Sequence, residues 1–192
     1  MRAPDLKAAA QGIAIFLRAL GYEERSELVG TPDRVAEAFA HELLRGERVD
    51  VAELLREGSE PATAATSGLV VVRDIAVVAV CPHHLLPAVG RATVAYLPGE
   101  RLLGLGTVAR LAQACSQRLA LQEAIGDAVV EALLTHARAR GAFCRLSLLH
   151  TCLATRGAEQ PDARLVTIAR GGSLATPDGA LELSLALGEA AK

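Results

Sequence analysis

Apolar residues in the first part of the chain recur at the three- and four-residue spacing of amphipathic helices. The first such segment ends at Gly21, the position of a helix C-terminal cap. A second begins at Thr31 and Pro32, because a threonine hydroxyl can cap a helix and proline favours its first turn. Together the two segments predict an N-terminal helical hairpin within residues 1–57. The predicted apolar positions of the first helix are Leu6, Ala9, Ala10, Ile13, Phe16, Leu17 and Leu20.

From residue 69 onward the pattern changes to β-branched runs that end in turn residues such as Pro98-Gly99. Later segments alternate between helical spacing and strand-like runs. This order predicts an α+β domain whose helices pack on one face of an antiparallel sheet. The predicted elements, in order, are strands at 69–80 and 91–97, helices at 107–119 and 121–139, and strands at 143–150 and 165–169.

Two further segments complete the prediction. Residues 58–68 contain proline and many small residues, which favours a linker. Residues 181–187 alternate apolar and polar positions, so they predict a last strand. We therefore expect an N-terminal helical hairpin at 1–57, a linker at 58–68 and a catalytic domain at 69–192.

Composition and charge narrow the class of protein. At 192 residues the chain can bury a substantial core, and with 51% hydrophobic but only 3% aromatic residues that core must be aliphatic. A formal charge of −2 provides no overall field for nucleic acid. The apolar runs fall short of the ~20 residues of a membrane helix, and residues 1–7 lack a signal-peptide core. The sequence therefore predicts a cytoplasmic protein that binds neither nucleic acid nor membranes.

The densest chemical signal is Cys81-Pro82-His83-His84, at the end of a predicted strand. A cysteine and a histidine three positions apart on a tight turn can both face one ion, while the histidine between them points elsewhere. Three such residues in four positions are rarely explained by core packing. This stretch therefore predicts a metal site.

A second cluster, His150-Thr151-Cys152, ends another predicted strand, where residues two apart share a face. Two thiolates and one imidazole form a borderline-soft set that suits zinc and leaves a fourth position for water. By spacing alone, Cys152 is equally compatible with a small buried hydrophobe. Four other residues are expected to be unremarkable, with buried thiols at Cys115 and Cys144 and solvated rings at His41 and His136.

The stretch from Cys81 to Pro87, followed by Gly90 and Val94-Ala95-Tyr96-Leu97-Pro98, closely resembles the signature of the GTP cyclohydrolase I family. Further segments match in the same order over about residues 31–172. The resemblance implies the tunnelling fold, an antiparallel sheet with two long helices per subunit joined in rings, and a homodecamer with active sites shared between subunits. The further segments are Thr31-Pro32-Asp33-Arg34-Val35-Ala36, Val72-Arg73-Asp74-Ile75, Gly104-Leu105, Ala109-Arg110-Leu111, Arg118, Gln122-Glu123, and His150-Thr151-Cys152 with Arg156-Gly157.

The same resemblance implies a reaction and a role for each site residue. The reaction is the zinc-dependent opening of the guanine imidazole ring of GTP, with release of formate and formation of 7,8-dihydroneopterin triphosphate for pterin and folate biosynthesis. A carboxylate suits the guanine edge because it accepts hydrogen bonds from adjacent N–H donors, and arginine forks match phosphate oxygens. The implied roles are zinc ligation by Cys81, His84 and Cys152, acid–base catalysis by His83 and His150, guanine binding by Gln122 and Glu123, and phosphate binding by Arg34, Arg110 and Arg156.

The sequence departs from the family at several positions around this set. Gly106-Thr107 replaces a family Ser-Lys pair that serves the triphosphate and the later sugar rearrangement, and Pro82 replaces a glutamate. Two alternatives therefore stand beside the main hypothesis. One is a divergent paralogue that acts on another purine nucleotide or stops at a different product. The other is a non-catalytic zinc-containing ring protein, against which the retention of His83 and His150 argues.

Overall fold

The structure, a computed structural model, describes residues 3–22, 26–63 and 68–188. A π-helical segment (Ala38–Leu43) extends the second helix, and short 3₁₀ turns join several elements. The helices are α1 (Leu6–Ala19), α2 (Thr31–Glu37), α3 (Val51–Glu57), α4 (Leu105–Ser116), α5 (Gln122–Thr135), α6 (Thr151–Ala154) and α7 (Pro177–Leu187). The strands are β1 (Ser59–Pro61), β2 (Val70–Val80), β3 (Pro87–Leu97), β4 (Arg101–Leu103), β5 (Gly141–His150) and β6 (Leu165–Gly172).

Four strands form an antiparallel sheet in the order β2-β3-β5-β6. β2 and β3 are the arms of one hairpin, and β3 pairs with β5 from Ala88 opposite His150 to Leu97 opposite Gly141. The register of β2 shifts at a bulge where Asp74 has a left-handed φ of 56°. The sheet thus brings the end of β2, the start of β3 and the end of β5 together at one end of the strands.

The two faces of this sheet are covered differently. α4 and α5 pack on one face, and the main core between them and the sheet contains Leu111, Leu133 and Leu146. The opposite face is covered at one end by α7, where Leu183 packs with Phe143, and the other described residues leave the rest of it open. The predicted α+β class, with an antiparallel sheet and two long helices on one face, is confirmed.

The N-terminal hairpin forms, but its apolar surface is largely exposed. α1 packs against α2, yet Phe16 is 59% and Leu20 57% exposed. The predicted cap at Thr31 is wrong, because its hydroxyl accepts a hydrogen bond from Arg34 at 2.9 Å instead of from a helix N–H. The hairpin therefore presents an apolar helix face that this chain does not cover with its described residues.

The predicted strand at residues 181–187 is wrong, because these residues form α7. Leu183 and Leu187, four positions apart, are buried in the second core, whereas Leu181 and Leu185 are 62% and 74% exposed. The alternating leucines therefore do not share one buried face. Two of them supply a helical stripe, and the other two point away from the sheet.

The predicted linker at 58–68 begins with an ordered strand. β1 pairs with β4, with Ser59 opposite Leu103, and residues 64–67 lie outside the described part of the chain. α3 also belongs to the main body, since its Leu55 is fully buried in the main core. The division at 1–57, 58–68 and 69–192 stays a prediction, although α3 packs on α4 rather than standing with the hairpin.

The long helices are shorter than the periodicity predicts. α5 ends at Thr135 rather than near residue 139, because Arg138 turns the chain with a φ of 54° and the Ala139 N–H donates to the Leu133 carbonyl. With fourteen residues each, α1 and α5 are the longest helices of the described ranges. None of the described helices is long and apolar enough to cross a membrane.

Candidate metal centre and active site

Cys81 and the two adjacent histidines lie at the tip of the β2–β3 hairpin. The Cys81 N–H donates to the Leu86 carbonyl and the Leu85 N–H donates to the Cys81 carbonyl, both at 2.9 Å, which closes a tight turn. Leu85 has a φ of 55°, a conformation that costs an ordinary residue roughly 1–2 kcal/mol. The turn is therefore held in one shape, and Cys81 and His84 come side by side.

The other half of the cluster follows β5. His150 is the last residue of this strand, and Cys152 lies in the first turn of α6. The Thr151 hydroxyl donates to the Pro87 carbonyl at 2.6 Å, which ties α6 to the start of β3 beside the hairpin tip. His150 and Cys152 line one cavity as predicted, but Cys152 does so from a helical turn and not from a continued strand.

The ligand atoms of Cys81, His84 and Cys152 lie within 4.8 Å of one another, with 3.8 Å between Cys81 Sγ and His84 Nδ1. Zinc lies about 2.3 Å from sulfur and about 2.0–2.1 Å from nitrogen, so a tetrahedral ion separates its ligand atoms by about 3.5–3.8 Å. The three side chains need only small adjustments to meet these distances. The donor set and its spacing therefore fit zinc.

The electrostatics of the two thiols also favour a cation. Burial raises the pKa of Cys152, and the hydrogen bond and charge of Cys81 raise it further, because two adjacent thiolates repel each other. The Arg156 guanidinium acts in the opposite direction but more weakly. A divalent cation between the sulfurs would replace this repulsion with attraction.

A buried glutamine fixes the orientation of His150. Gln122 is 3% exposed, and its side-chain nitrogen donates to the Leu165 carbonyl at 2.9 Å and the Thr167 hydroxyl at 3.1 Å. Its oxygen must then face His150 Nε2, 2.9 Å away, so that ring nitrogen carries the proton and donates. The contact leaves His150 Nδ1 as the nitrogen available for proton exchange.

The candidate active site is a cavity of about 230 Å³ that most predicted residues share. Burial lowers the pKa of His150, and the opposing effect of the Glu123 carboxylate is smaller, so the ring is neutral near pH 7. Glu123 itself is exposed at the mouth of the cavity, where its carboxylate can accept hydrogen bonds. The predicted site residues that line the cavity are Cys81, His83, His84, Gln122, Glu123, His150 and Cys152.

The three predicted phosphate-binding arginines do not come together around one cavity within this chain. Arg156 lies beside the cluster, with its Nη1 2.8 Å from His84 Nε2. Arg34 instead donates to the Val29 carbonyl on the hairpin, and Arg110 points to Thr107 on α4. Neither Arg34 nor Arg110 lines the cavity of its own chain.

Gly106 and Thr107, where the family has Ser-Lys, occupy the first turn of α4. Gly106 is exposed, with open space where a side chain would project. Thr107 is only 2% exposed, and its side chain fills the space beside Gly58, where a β-carbon would collide with it. The departure from the family at Thr107 is therefore built into the packing of this chain.

Sequence reasoning missed two residues that organise the site. Thr151 and Thr167 bind to the backbone of β3 and to Gln122 respectively, and neither was a candidate. On the predicted strand, Thr167 shares a face with Leu165 and Ala169, so the sequence could have indicated that its side chain lies on the helix side of β6. The contact of Thr151 with Pro87 joins residues 64 positions apart and has no local signal.

The four cysteines should differ sharply in reactivity. Burial raises the pKa of Cys115 to about 11 and that of Cys144 to about 12, so at pH 8 about one thiol in a thousand or fewer is the reactive thiolate. We expect a thiol reagent to modify Cys81 and Cys152 once a chelator has removed any bound metal, and Cys115 and Cys144 only after unfolding. Mass spectrometry of the labelled protein measures this, and rapid labelling of Cys144 in the folded protein would contradict it.

Comparison with known proteins gives one consistent result. The family model described as GTP cyclohydrolase I matches residues 9–185. GTP cyclohydrolase 1 of Ralstonia nicotianae is 39% identical over 168 residues, which cover 87% of this chain and 79% of that protein. GTP cyclohydrolase 1 of Leifsonia xyli subsp. xyli is 37% identical over 177 residues and 92% of each chain. The crystal structure of the archaeosine synthase QueF-Like in the apo form is 14% identical, with a TM-score of 0.43 over 55% of this chain and 94% of that one, a likeness too distant to bear on function.

Proposed function

Since this chain belongs to the GTP cyclohydrolase I family and is a GTP cyclohydrolase I-like enzyme, we propose that it uses zinc to open the imidazole ring of GTP, releasing formate and forming 7,8-dihydroneopterin triphosphate. The observation that carries the proposal is the convergence of Cys81, His84 and Cys152 beside His83 and His150 in one cavity. We expect the enzyme to act in the cytoplasm, where these thiols stay reduced.

Zinc would be held by the two sulfurs and the imidazole of His84. When bound, it supplies a Lewis acid and a water whose pKa is lowered to about 7. His84 presents Nδ1 toward Cys81, and the closed hairpin turn keeps that orientation. The contribution of the chain is thus a largely prearranged set of donors. Binding through His84 Nδ1 requires the Arg156 guanidinium to move away from Nε2, because Nε2 carries the ring proton when Nδ1 binds a metal.

The two remaining histidines are suited to proton transfer. His83 is exposed at the cavity wall and can protonate a ring nitrogen of the substrate as a general acid. Neutral His150, held through Nε2 by Gln122, offers Nδ1 as the base. We therefore assign Gln122 to positioning His150, because the structure gives both ends of its amide to protein partners. Glu123 retains the expected role of binding the guanine edge.

We further propose that the phosphates are bound by arginines of different chains in a ring, most simply a decamer. None of the three arginines lines the cavity of its own chain; Arg156 lies beside it through its contact with His84, whereas Arg34 and Arg110 contact the hairpin and α4. The exposed apolar face of α1, with Phe16 and Leu20, gives the hairpin a surface for another subunit.

Shared sites predict recovery of activity in mixed rings. Rings of Arg34→Ala chains alone, or of His150→Ala chains alone, should be nearly inactive. Rings assembled at random from equal amounts of both should recover up to about a quarter of wild-type activity, because about one site in four takes an unchanged Arg34 and an unchanged His150 from two different chains. Co-expression with two affinity tags and assay of the doubly purified rings tests this. Sedimentation shows whether rings form at all. Mixed rings without recovered activity would mean that Arg34 serves its own chain or no site.

The reaction itself is tested by following two products at once. Incubation of the purified protein with GTP should release formate and generate pterin fluorescence in equal amounts. Formate without the pterin would support a paralogue that stops after ring opening. Inertness toward GTP, combined with turnover of another purine nucleotide, would overturn the proposed substrate. Bound zinc with no turnover of any purine would favour the non-catalytic ring protein.

The paralogue remains the second candidate because of Thr107. A lysine in this buried position would have to displace the packing of Thr107 against Gly58. We expect Gly106→Ser to be tolerated and Thr107→Lys to lower the free energy of unfolding by about 2–4 kcal/mol, since it forces an ammonium into the space beside Gly58. Denaturant unfolding and the KM for GTP measure the two effects. A Thr107→Lys protein of unchanged stability and lower KM would show that the family lysine fits here after all.

A further inference from the structure

The open face of the sheet carries a cluster of arginines around a cleft of about 300 Å³. Arg91 of β3 lies opposite Ser147 of β5, and Thr93 lies opposite Arg145, so the two arginines stand at diagonal positions on neighbouring strands. Such positions are about 7–8 Å apart, within reach of a common ligand for long side chains. The cleft is lined by Asp74, Arg91, Thr93, Arg145, Ser147 and Arg164.

The guanidinium groups of this cleft are not neutralised by the described residues. None of the three arginines has a carboxylate oxygen within 4.0 Å in the part of the chain that the structure describes. Arg91 donates to the Asp74 carbonyl at 3.2 Å, and within the described residues Arg145 and Arg164 have no hydrogen-bond partner. Among residues 3–22, 26–63 and 68–188, most of the N–H donors in the cleft therefore have no protein acceptor.

The charge balance of the cleft favours an anion. Three arginines against the single carboxylate of Asp74 leave an excess of two positive charges. Planar guanidinium forks match phosphoryl oxygens, and the hydroxyls of Thr93 and Ser147 add donors on a rigid strand scaffold. Because the chain as a whole carries a formal charge of −2, this local excess is not part of a general basic surface.

We propose that this cleft is a second anion-binding site, for a small molecule that bears a phosphoryl group. The site is separate from the candidate active site. Arg91, Thr93, Arg145 and Ser147 alternate with the core residues of β3 and β5, so they face away from α4 and α5. His150 and Gln122 lie on the helix side of the same sheet. The proposal therefore stands whether or not the proposed reaction is correct.

Asp74 provides a change that should strengthen binding. Asp74 lines the cleft, and its carboxylate pairs with no arginine among the described residues, so its negative charge opposes an incoming anion. Its left-handed φ of 56° at the β2 bulge is a conformation that asparagine also adopts. Asp74→Asn thus removes the negative charge without a new demand on the backbone.

The test is a calorimetric titration of the full chain with inorganic phosphate at constant ionic strength. All proteins carry Arg156→Gln, so that binding at the candidate active site is reduced. Arg145→Gln should weaken phosphate binding about tenfold or more, because a charge-assisted contact is lost. Asp74→Asn should tighten it by about threefold. The matched control is Arg170→Gln on the same face of the sheet, where Arg170 lies over the Phe143 ring outside the cleft. It should change the affinity by less than about twofold.

Opposite effects of Arg145→Gln and Asp74→Asn, with no effect of Arg170→Gln, would establish the site. Equal weakening by Arg145→Gln and Arg170→Gln would overturn it in favour of general charge attraction. Loss of all phosphate binding on introduction of Arg156→Gln would assign the binding to the active-site side and also overturn it. If Arg145→Gln does not fold, an unchanged affinity in Asp74→Asn is sufficient to reject the proposal.

Discussion

Replacement of Cys152 by alanine is expected to abolish zinc binding and to lower kcat/KM for GTP by about 10⁴-fold or more, since the proposed reaction would lose its Lewis acid and its activated water together. Cys152 is half-buried in the short helix α6 and belongs to neither hydrophobic core, so the fold should survive. Metal analysis of the purified variant, beside formate release, gives both quantities.

The matched control is Cys115→Ala, which removes a thiol that is 3% exposed in the main core. We expect this variant to keep one zinc per chain and most of its activity, while its free energy of unfolding falls by about 1 kcal/mol. Retention of a full complement of zinc by Cys152→Ala would remove Cys152 from the ligand set and leave Cys81 and His84 to be completed by another residue.

Replacement of Gln122 by leucine should lower kcat about 10²–10³-fold with little change in KM, because His150 loses the contact that fixes its tautomer and orientation. The same change leaves the Leu165 carbonyl and the Thr167 hydroxyl without their partner. We therefore also expect a loss of about 1–3 kcal/mol in the free energy of unfolding. Steady-state kinetics and denaturant unfolding separate the two effects.

Two variants distinguish positioning from general stability. Gln122→Glu keeps an oxygen to accept from His150 Nε2 and should retain more activity than the leucine variant, even though it loses the donors to β6. Thr167→Val removes one partner of Gln122 without touching His150, so it should reduce stability and leave kcat nearly unchanged. If Thr167→Val lowers kcat as much as Gln122→Leu does, the loss of activity is due to general packing, and the proposal that Gln122 positions His150 is wrong.

The juxtaposition of Cys81, His84 and Cys152 could be predicted from sequence because each half of the cluster is local. Cys81 and His84 share one turn after β2, and Cys152 follows His150, the last residue of β5, by two positions, so spacing limited the geometry within each half. The meeting of the halves depends on the pairing of β3 with β5, which no local pattern encodes. The family resemblance supplied that link.

The contacts around the cluster were not predictable in the same way. Gln122 was expected to bind substrate, and only the packing of α5 on β6 places its amide against Leu165 and Thr167. The strand prediction for residues 181–187 was wrong for a different reason. The Thr176 hydroxyl accepts a hydrogen bond from the Gly179 N–H, and Gly188 ends the helix in a left-handed conformation. Both residues are helix-end signals in the sequence, but the alternating leucines between them favour a strand.

The position of the proposed metal ligands just beyond the ends of β2 and β5 has a consequence for folding kinetics. The β2–β3 hairpin closes by local contacts, which form in about microseconds, whereas pairing of β3 with β5 must close a far longer loop and is slower. Cys152 reaches the hairpin tip only after this second event, because the Thr151 contact with Pro87 spans 64 positions. Tight metal capture should therefore trail formation of the hairpin during refolding, and a metal-sensitive dye would time the closure of the central sheet.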